Sequence, residues 1–351
     1  MCLCTDGNMI VPALFVASAA AGRAGGAYDV YVIAEEGELQ EEHLDWMARQ
    51  GIQAVRGLSF PRLHGTGATI GRITPASLIR LVLPELLSLK YDRLLYLDCD
   101  TEICGDPAPL FALDLQGRVL AAAPAGRSTA RMSPAEVQQR DAHCRALGMT
   151  EPFRLFNDGV MLIDVARWNT ERVGECALDF IELNPSICRL PDEDALNAVL
   201  DGHIMDLSPI WNFRAHLMTS PRADDLAVPV IRHYDGPHKP WKRFMPGRRL
   251  FQFEEANRRY RRFVAGTPWQ AWLDGQWTLR DLRDNLRFEL RILLNRLRGR
   301  RTPGVLTPGK HRRNWEHWRS EYAKAQFADV DQGITIRSDG RLMLNPAKVR
   351  P

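Results

Sequence analysis

The 351-residue chain is 45% hydrophobic and 25% charged, proportions that exclude a mostly disordered or collagen-like chain. No run of 18 uncharged apolar residues occurs, so no transmembrane helix is expected. The net charge of +3 conceals a split, with 21 Lys and Arg against 32 Asp and Glu in residues 1–240, 20 against 7 in 241–320, and 5 against 4 in the last 31; an acidic body followed by a basic extension points to an anionic partner surface, lipid or nucleic acid.

Residues 9–22 resemble the apolar core of a secretory signal. No Lys or Arg precedes them and Asp6 does, so a buried strand and helix is the better reading. Up to about residue 245, short apolar strands alternate with helical periodicity. Strands are expected at Met1–Cys4, Val30–Ala34, Arg93–Leu97, Val119–Ala123, Val160–Asp164 and Val230–His233. Helices are expected at Leu39–Gln50, Ile79–Leu89, Pro134–Leu147, Glu171–Asn184 and Asp194–Leu200. Such alternation means an α/β sheet between helical layers, with ligands bound where strand carboxyl ends meet loops.

Beyond residue 245 the character changes. Leu279, Leu282, Leu286, Leu290, Leu293 and Leu297 advance by three and four, which predicts one helix over Leu279–Leu297 with a single apolar stripe. Eight Arg lie between 280 and 301, and Trp269, Trp272 and Trp277 precede the helix. A second helix is expected at about Arg312–Phe327. A hairpin is expected over Gly333–Asn345, turning at Ser338, Asp339 and Gly340. The seven cysteines are odd in number and scattered, without a CxxC pair. They support neither a zinc site nor a disulfide framework, and free thiols in a reducing cytoplasm are expected.

The chemistry begins where the apolar strand Arg93–Leu97 runs into Asp98-Cys99-Asp100. Carboxylates at i and i+2 leaving a strand can both reach one divalent cation, and their oxygens suit Mg²⁺ or Mn²⁺. With 25 Asp in the chain, three DxD pairs occur, at 98/100, 192/194 and 329/331. Only the position at a strand end sets the first apart. Four other segments accompany it: Cys4-Thr5-Asp6-Gly7-Asn8, Phe156–Trp168 (FNDGVMLIDVARW), Leu190–Asn197 (LPDEDALN) and Ile231–Trp241 (IRHYDGPHKPW).

Taken as an ordered set, these segments resemble glycosyltransferase family 8, which includes bacterial lipopolysaccharide galactosyl- and glucosyltransferases and glycogenin. The resemblance covers about residues 1–245. It implies a GT-A (Rossmann-like nucleotide-diphospho-sugar transferase) fold, an α/β catalytic domain over 1–245, and a basic, Trp-rich, mostly helical extension over 246–351 ending in the hairpin. It implies a retaining, metal-dependent transferase that uses UDP-glucose or UDP-galactose. Asp98, Asp100 and His233 match the family's ligands for Mn²⁺, with Mg²⁺ as the other candidate. An imidazole joining two carboxylates at a strand end is chemically reasonable. Gly236 and Lys239 match the loop that closes over the diphosphate. Asp6 and Asn8 match the loop that contacts the nucleoside. Arg80 matches the helix arginine that contacts the donor, and Asn157 the asparagine that binds the donor sugar. Asp192 and Asp194 match carboxylates expected to grip sugar hydroxyls.

Two departures concern donor identity. Glu193 stands where the family often has Gln, and a carboxylate there could stabilise an oxocarbenium-like state or attack it. Asp158 stands where the family usually has a small residue. The reading is a hexosyltransferase that moves glucose or galactose to a glycan acceptor of lipopolysaccharide type or otherwise lipid-linked. The competing readings are a non-catalytic sugar-nucleotide-binding protein and a nucleotide-sugar hydrolase. For residues 269–301 an interfacial helix on anionic lipid competes with packing of the Leu stripe against the body. No known nucleic-acid motif accompanies the charge. The expected location is cytoplasmic, peripheral on the inner face of the membrane.

Overall fold

The computed structural model describes residues 1–58, 62, 75–125, 133–150, 155–214, 228–236, 239–243, 251–299, 334–336 and 342–344. Its centre is a seven-stranded sheet. In chain order the strands are β1 (Cys2–Cys4), β2 (Tyr31–Glu35), β3 (Gln53–Leu58), β4 (Arg93–Leu97), β5 (Thr101–Ile103), β6 (Leu120–Pro124), β7 (Phe156–Asp164), β8 (Ile204–Asp206), β9 (Phe213–Arg214) and β10 (Ile231–His233). The large sheet has the order β3-β2-β1-β4-β7-β6-β8, and β5, β10 and β9 form a small second sheet in that order. β1, β2, β3 and β4 run parallel, whereas β7 runs antiparallel to both β4 and β6. This reversal positions the site. The ends of β1 and β4 and the beginning of β7 all arrive at one edge of the sheet.

Runs such as Leu94–Leu97 and Val160–Ile163 are buried throughout, as expected of strands covered on both faces. On one face lies the helix Ile10–Ala24, an Ala-rich segment whose Pro12 sits in the first turn, where a missing N–H costs nothing. It is a single helix, not the strand and helix expected for this run. The helix Phe251–Val264 packs on it, with the Phe15 and Tyr260 rings stacked at 4.0 Å. On the other face lie the helices Val165–Thr170, Val173–Leu183 and Pro191–Val199.

Several elements differ from expectation. The helix expected over Ile79–Leu89 is two short turns, Ile79–Leu81 in the 3₁₀ form and Leu83–Leu86 in the α form. Pro84 has no N–H to donate to the carbonyl of Arg80, so the first turn cannot continue into the second. β3, β5, β8 and β9 were not anticipated, being short or without clear alternation. Trp269, one of the three Trp that precede the basic helix, is buried against Trp46 at 5.0 Å and Phe263 at 6.0 Å.

The helix Leu279–Leu297 forms as predicted, started by a capping box between Thr278 and Asp281. Its Leu stripe is not packed away. Leu279, Leu286, Leu290, Leu293 and Leu297 are 54–77% exposed, and only Ile292 is buried among its residues. The strands β11 (Ile334–Ile336) and β12 (Leu342–Leu344) pair antiparallel as the hairpin required. Its turn and the expected helix Arg312–Phe327 lie outside the described residues. All seven cysteines are free, and no described helix is long and apolar enough to cross a membrane.

Candidate functional site

At the convergent edge, β4 ends and the chain turns through Asp98-Cys99-Asp100 into β5. The Asp98 N–H donates to the Gly159 carbonyl at 2.8 Å. The Thr101 hydroxyl donates to the Asp98 carbonyl at 2.8 Å. β10 pairs antiparallel with β5, His233 opposite Thr101, and the Tyr234 N–H donates to the Asp100 carbonyl at 2.9 Å. This register brings the His233 ring to the two carboxylates. Nε2 lies 3.1 Å from Asp100 Oδ1 and 3.6 Å from Asp98 Oδ2.

One ligand atom from each of Asp98, Asp100 and His233 lies within 4.8 Å of the others. Two carboxylate oxygens and one imidazole nitrogen suit a hard or borderline divalent cation. The His233 Nδ1–H donates to Asn212 Oδ1 at 3.0 Å, an oxygen that can only accept. That bond fixes one ring proton on Nδ1 and turns Nε2 toward the carboxylates, where it would ligate a cation once its own proton is displaced, the arrangement that orients metal-binding histidines. The residues therefore fit a divalent cation. Burial opposes ionisation of Asp100, but the adjoining His233 and Lys239 hold its carboxyl below the usual range. Burial likewise disfavours the His233 cation, and Asp100 and Asp98 outweigh it, raising the imidazole above its ordinary value.

Gly159 explains the glycine of Asn157-Asp158-Gly159. A Cβ there would lie 2.3 Å from His233 Cε1 and 2.6 Å from Asp98 Oδ2. Only a bare backbone lets β7 run this close to the cluster. Gly236 lines the cleft at φ +86°, a conformation that L side chains rarely adopt.

Arg80, 6% exposed, organises the acidic wall. Its guanidinium donates to Asp98 Oδ1 at 2.9 Å and lies 3.3 Å from Asp192 Oδ2. It lies 2.7 Å from Asp158 Oδ2, in an ion pair without hydrogen-bond alignment. It also lies over the Tyr96 ring at 4.6 Å. Burial raises the Asp158 carboxyl well above its usual value; Arg80 works against the shift, and Asp192, Glu193 and Asp98 add to it.

Glu193 accepts from the Asn157 amide at 2.7 Å. Burial pushes its carboxyl up to about 7, against the opposing pull of Arg214 and of that hydrogen bond. Asn197, four residues on, grips the start of β7 in both directions. It accepts from the Phe156 N–H at 2.9 Å and donates to the Phe156 carbonyl at 3.1 Å. This tie seats the helix Pro191–Val199 with Glu193 beside Asn157.

A cleft of about 310 Å³ joins these groups, lined by Asp6, Arg80, Asp98, Asp100, Asn157, Asp158, Asp192, Glu193, His233 and Gly236. Lys239 stands behind the lining, its ammonium on Asp100 and donating to the Tyr234 carbonyl at 3.0 Å. Two expected residues are not brought in. Asn8 is exposed in a turn, where its N–H donates to Asp6 Oδ1 at 3.0 Å. Asp194 accepts from the Arg189 and Leu190 N–H groups at 2.6 and 3.0 Å and meets His143 Nε2 at 2.9 Å. A helix turns 100° per residue, so Asp192 and Asp194 stand about 200° apart and cannot face one sugar. Asp194 instead stabilises the helix start.

Three contributors escaped the sequence reading. Tyr96 donates to Asp98 Oδ1 at 2.8 Å, and strand alternation places residues 96 and 98 on one face, a signal that was available. Asp235, within the quoted His233 segment, lines the cleft and pairs with Arg214 at 2.7 Å. Asn212 has no spacing signal at all.

A family model described as glycosyl transferase family 8 matches residues 9–244. General stress protein A of Bacillus subtilis (strain 168) is 28% identical over 185 residues, 48% of this chain and 60% of that protein. The lipopolysaccharide 1,2-glucosyltransferase of Escherichia coli (strain K12) is 28% identical over 177 residues, 48% of this chain and 50% of that protein. The chain spans about half the length of the curated relatives it matches. The crystal structure of the galactosyltransferase LgtC, in complex with donor and acceptor sugar analogs, superposes with a TM-score of 0.59 at 20% identity, covering 73% of this chain and 94% of that one. The likeness is one of fold, and the expected GT-A architecture is borne out.

Proposed function

The chain belongs to glycosyl transferase family 8, and from that premise we propose that it is a retaining, metal-dependent hexosyltransferase. It moves glucose or galactose from a UDP-sugar to a glycan acceptor, of lipopolysaccharide type or otherwise lipid-linked. The observation that carries the reading is the meeting, in one cleft, of the Asp98–Asp100–His233 cluster with the Asn157–Glu193 pair. In this reading the transferase machinery lies within residues 1–245. Residues 246–351 are its extension, whose first part shares the core.

Asp98, Asp100 and His233 would hold the divalent cation, Mn²⁺ before Mg²⁺, which supplies charge to offset that of the leaving diphosphate. Lys239 and the Gly236 backbone serve the same diphosphate from the loop after β10. Asp6 serves the nucleoside from the loop after β1. Arg80 holds Asp98, Asp158 and Asp192 in fixed positions, so the acidic wall is organised before the donor arrives. Glu193 is placed to stabilise positive charge growing on the sugar as its bond to the diphosphate lengthens. Asn157 fixes that carboxylate. For retention, the acceptor hydroxyl enters on the face the diphosphate leaves.

The exposed Leu stripe and flanking Arg of Leu279–Leu297 support a further part of the reading. Of the 269–301 segment, the helix Leu279–Leu297 is the part that contacts an anionic membrane surface, with the enzyme peripheral on its cytoplasmic face.

Calorimetry with UDP-glucose and UDP-galactose, with and without Mn²⁺, tests the donor site on the wild type and Asp100→Ala. Mn²⁺-dependent binding of one donor, lost in D100A, is the expected result. Binding of neither donor with Mn²⁺ present overturns the reading. Free hexose released at full rate without acceptor turns it into a hydrolase.

A further inference from the structure

Behind the cleft runs a hydrogen-bond chain with one direction throughout. The His233 Nδ1–H donates to Asn212 Oδ1 at 3.0 Å. The Asn212 amide donates to Asn157 Oδ1 at 2.8 Å. The Asn157 amide donates to Glu193 Oε2 at 2.7 Å. Asn212 is 1% exposed, His233 2% and Asn157 7%. Once ionised, Glu193 sets the sense of the whole chain, because a carboxylate only accepts. It forces Asn157 to present its oxygen to Asn212, which forces Asn212 to present its oxygen to His233. The imidazole thereby keeps a proton on Nδ1 and faces Asp98 and Asp100 with Nε2, the nitrogen a cation would take in place of a proton. Buried networks of this kind polarise from end to end and hold their members in single orientations.

We propose that Asn212 is a positioning residue that joins the cation-ligating half of the site to the sugar-facing half. It holds the His233 ring for the cation and the Asn157–Glu193 pair for the sugar, so that loading one half orders the other. The role rests on the hexosyltransferase reading for its sugar-facing half only. A small amide is the side chain the position demands. It must accept on one side and donate on the other, within a space closed to water. Aspartate has the same shape but accepts on both sides, so it keeps the His233 contact and loses the donor toward Asn157. Asn157 cannot repair the loss while Glu193 is ionised. Turning its amide toward the new carboxylate points its oxygen at Glu193.

The test compares Asn212→Asp and Asn212→Ala with the wild type. Mn²⁺ affinity is measured by calorimetry without donor, and kcat and donor KM by transfer assay. N212A is expected to weaken Mn²⁺ binding at least tenfold, the usual loss when a partner of a metal-ligating histidine is removed. N212D is expected to keep or raise Mn²⁺ affinity, since a carboxylate on Nδ1 also orients the ring and raises its basicity, while kcat falls at least tenfold with donor KM little changed, as when an interaction made mainly in the transition state is removed. A structural defect alone would move Mn²⁺ affinity and kcat together in both variants. N212A with wild-type Mn²⁺ affinity, or N212D with wild-type kcat, overturns the proposal. N212D is nearly isosteric, so its result stands even where N212A does not fold. If the wild type binds Mn²⁺ but transfers from neither donor, the function reading fails separately, and the Mn²⁺ arm still decides the His233 half.

Discussion

At the scale of single residues, space and charge make the clearest demands. Gly159 is the steric example. A methyl group would collide with His233 Cε1 at 2.3 Å and Asp98 Oδ2 at 2.6 Å. Neither can retreat cheaply, because His233 is buried and bonded to Asn212. Gly159→Ala should lower Mn²⁺ affinity by about tenfold or more, with a smaller loss in thermal stability; calorimetry and a melting curve separate the two. Glu193 is the electrostatic example. Its carboxyl titrates at about 7, so the kcat/KM profile, which reports the free enzyme, should rise with pH through about 7 if the carboxylate does the work. Glu193→Gln should remove that rising limb. Stability has the opposite sign. A carboxyl raised in the folded state helps folding at low pH, and the help is lost as pH rises through its folded value. E193Q should therefore be more stable than the wild type at pH 8, by on the order of 1–3 kcal/mol, and lose that advantage at pH 4.

At the scale of elements, the site is held by ties between pieces distant in sequence. Asn197 fastens the helix Pro191–Val199 to the start of β7 through both faces of its amide. Asn197→Leu leaves two buried backbone groups of Phe156 unanswered, at roughly 1–3 kcal/mol. It should also loosen Glu193 against Asn157. Urea denaturation measures the first effect, and kcat the second. Glu102 performs a similar service on the other side. Its carboxylate, 4% exposed, takes a hydrogen bond from the Tyr234 hydroxyl at 2.6 Å and pairs with Arg259 of the helix Phe251–Val264. Glu102 follows Asp100 by two residues, so this pairing joins the segment beyond 245 to the strand that follows the DxD turn. Arg259→Met removes the cation and leaves the carboxylate its bond from the Tyr234 hydroxyl. Because Arg259 is 32% exposed, a loss of roughly 1–3 kcal/mol is expected, readable as a lower urea midpoint with unchanged slope.

At the scale of the molecule, the basic segment is packed on the acidic body for part of its length and leaves it for the rest. The core extends through Tyr260, Trp269 and Leu273, and the helix Leu279–Leu297 then leaves its Leu stripe exposed between arginines. Sedimentation with vesicles rich in anionic lipid should carry down the wild type, weakening as salt rises. Leu286→Glu with Leu290→Glu should abolish the binding and leave the melting temperature unchanged, because neither side chain is buried. Binding that survives both substitutions removes that helix from the membrane reading.

The strand β4, the second half of β7 and the Leu periodicity of Leu279–Leu297 were legible without coordinates, because each depends on neighbours a few residues away. So were the DxD turn and the His233 segment, whose residue types announce their chemistry. Other features were decided only by the fold. Asp192 and Asp194 read alike in sequence, and the helical step sends one into the cleft and the other back to the Arg189 and Leu190 N–H groups. Trp269 and Trp277 read alike, and one is buried while the other is 37% exposed. Asn212 carries no pattern, and the pairing of β9 with β10 places it beside His233. Local backbone preference and periodicity act over a few residues. Burial, a carboxylate's titration and an amide's partners depend on groups tens of residues away, and only the closed tertiary structure brings those groups into contact.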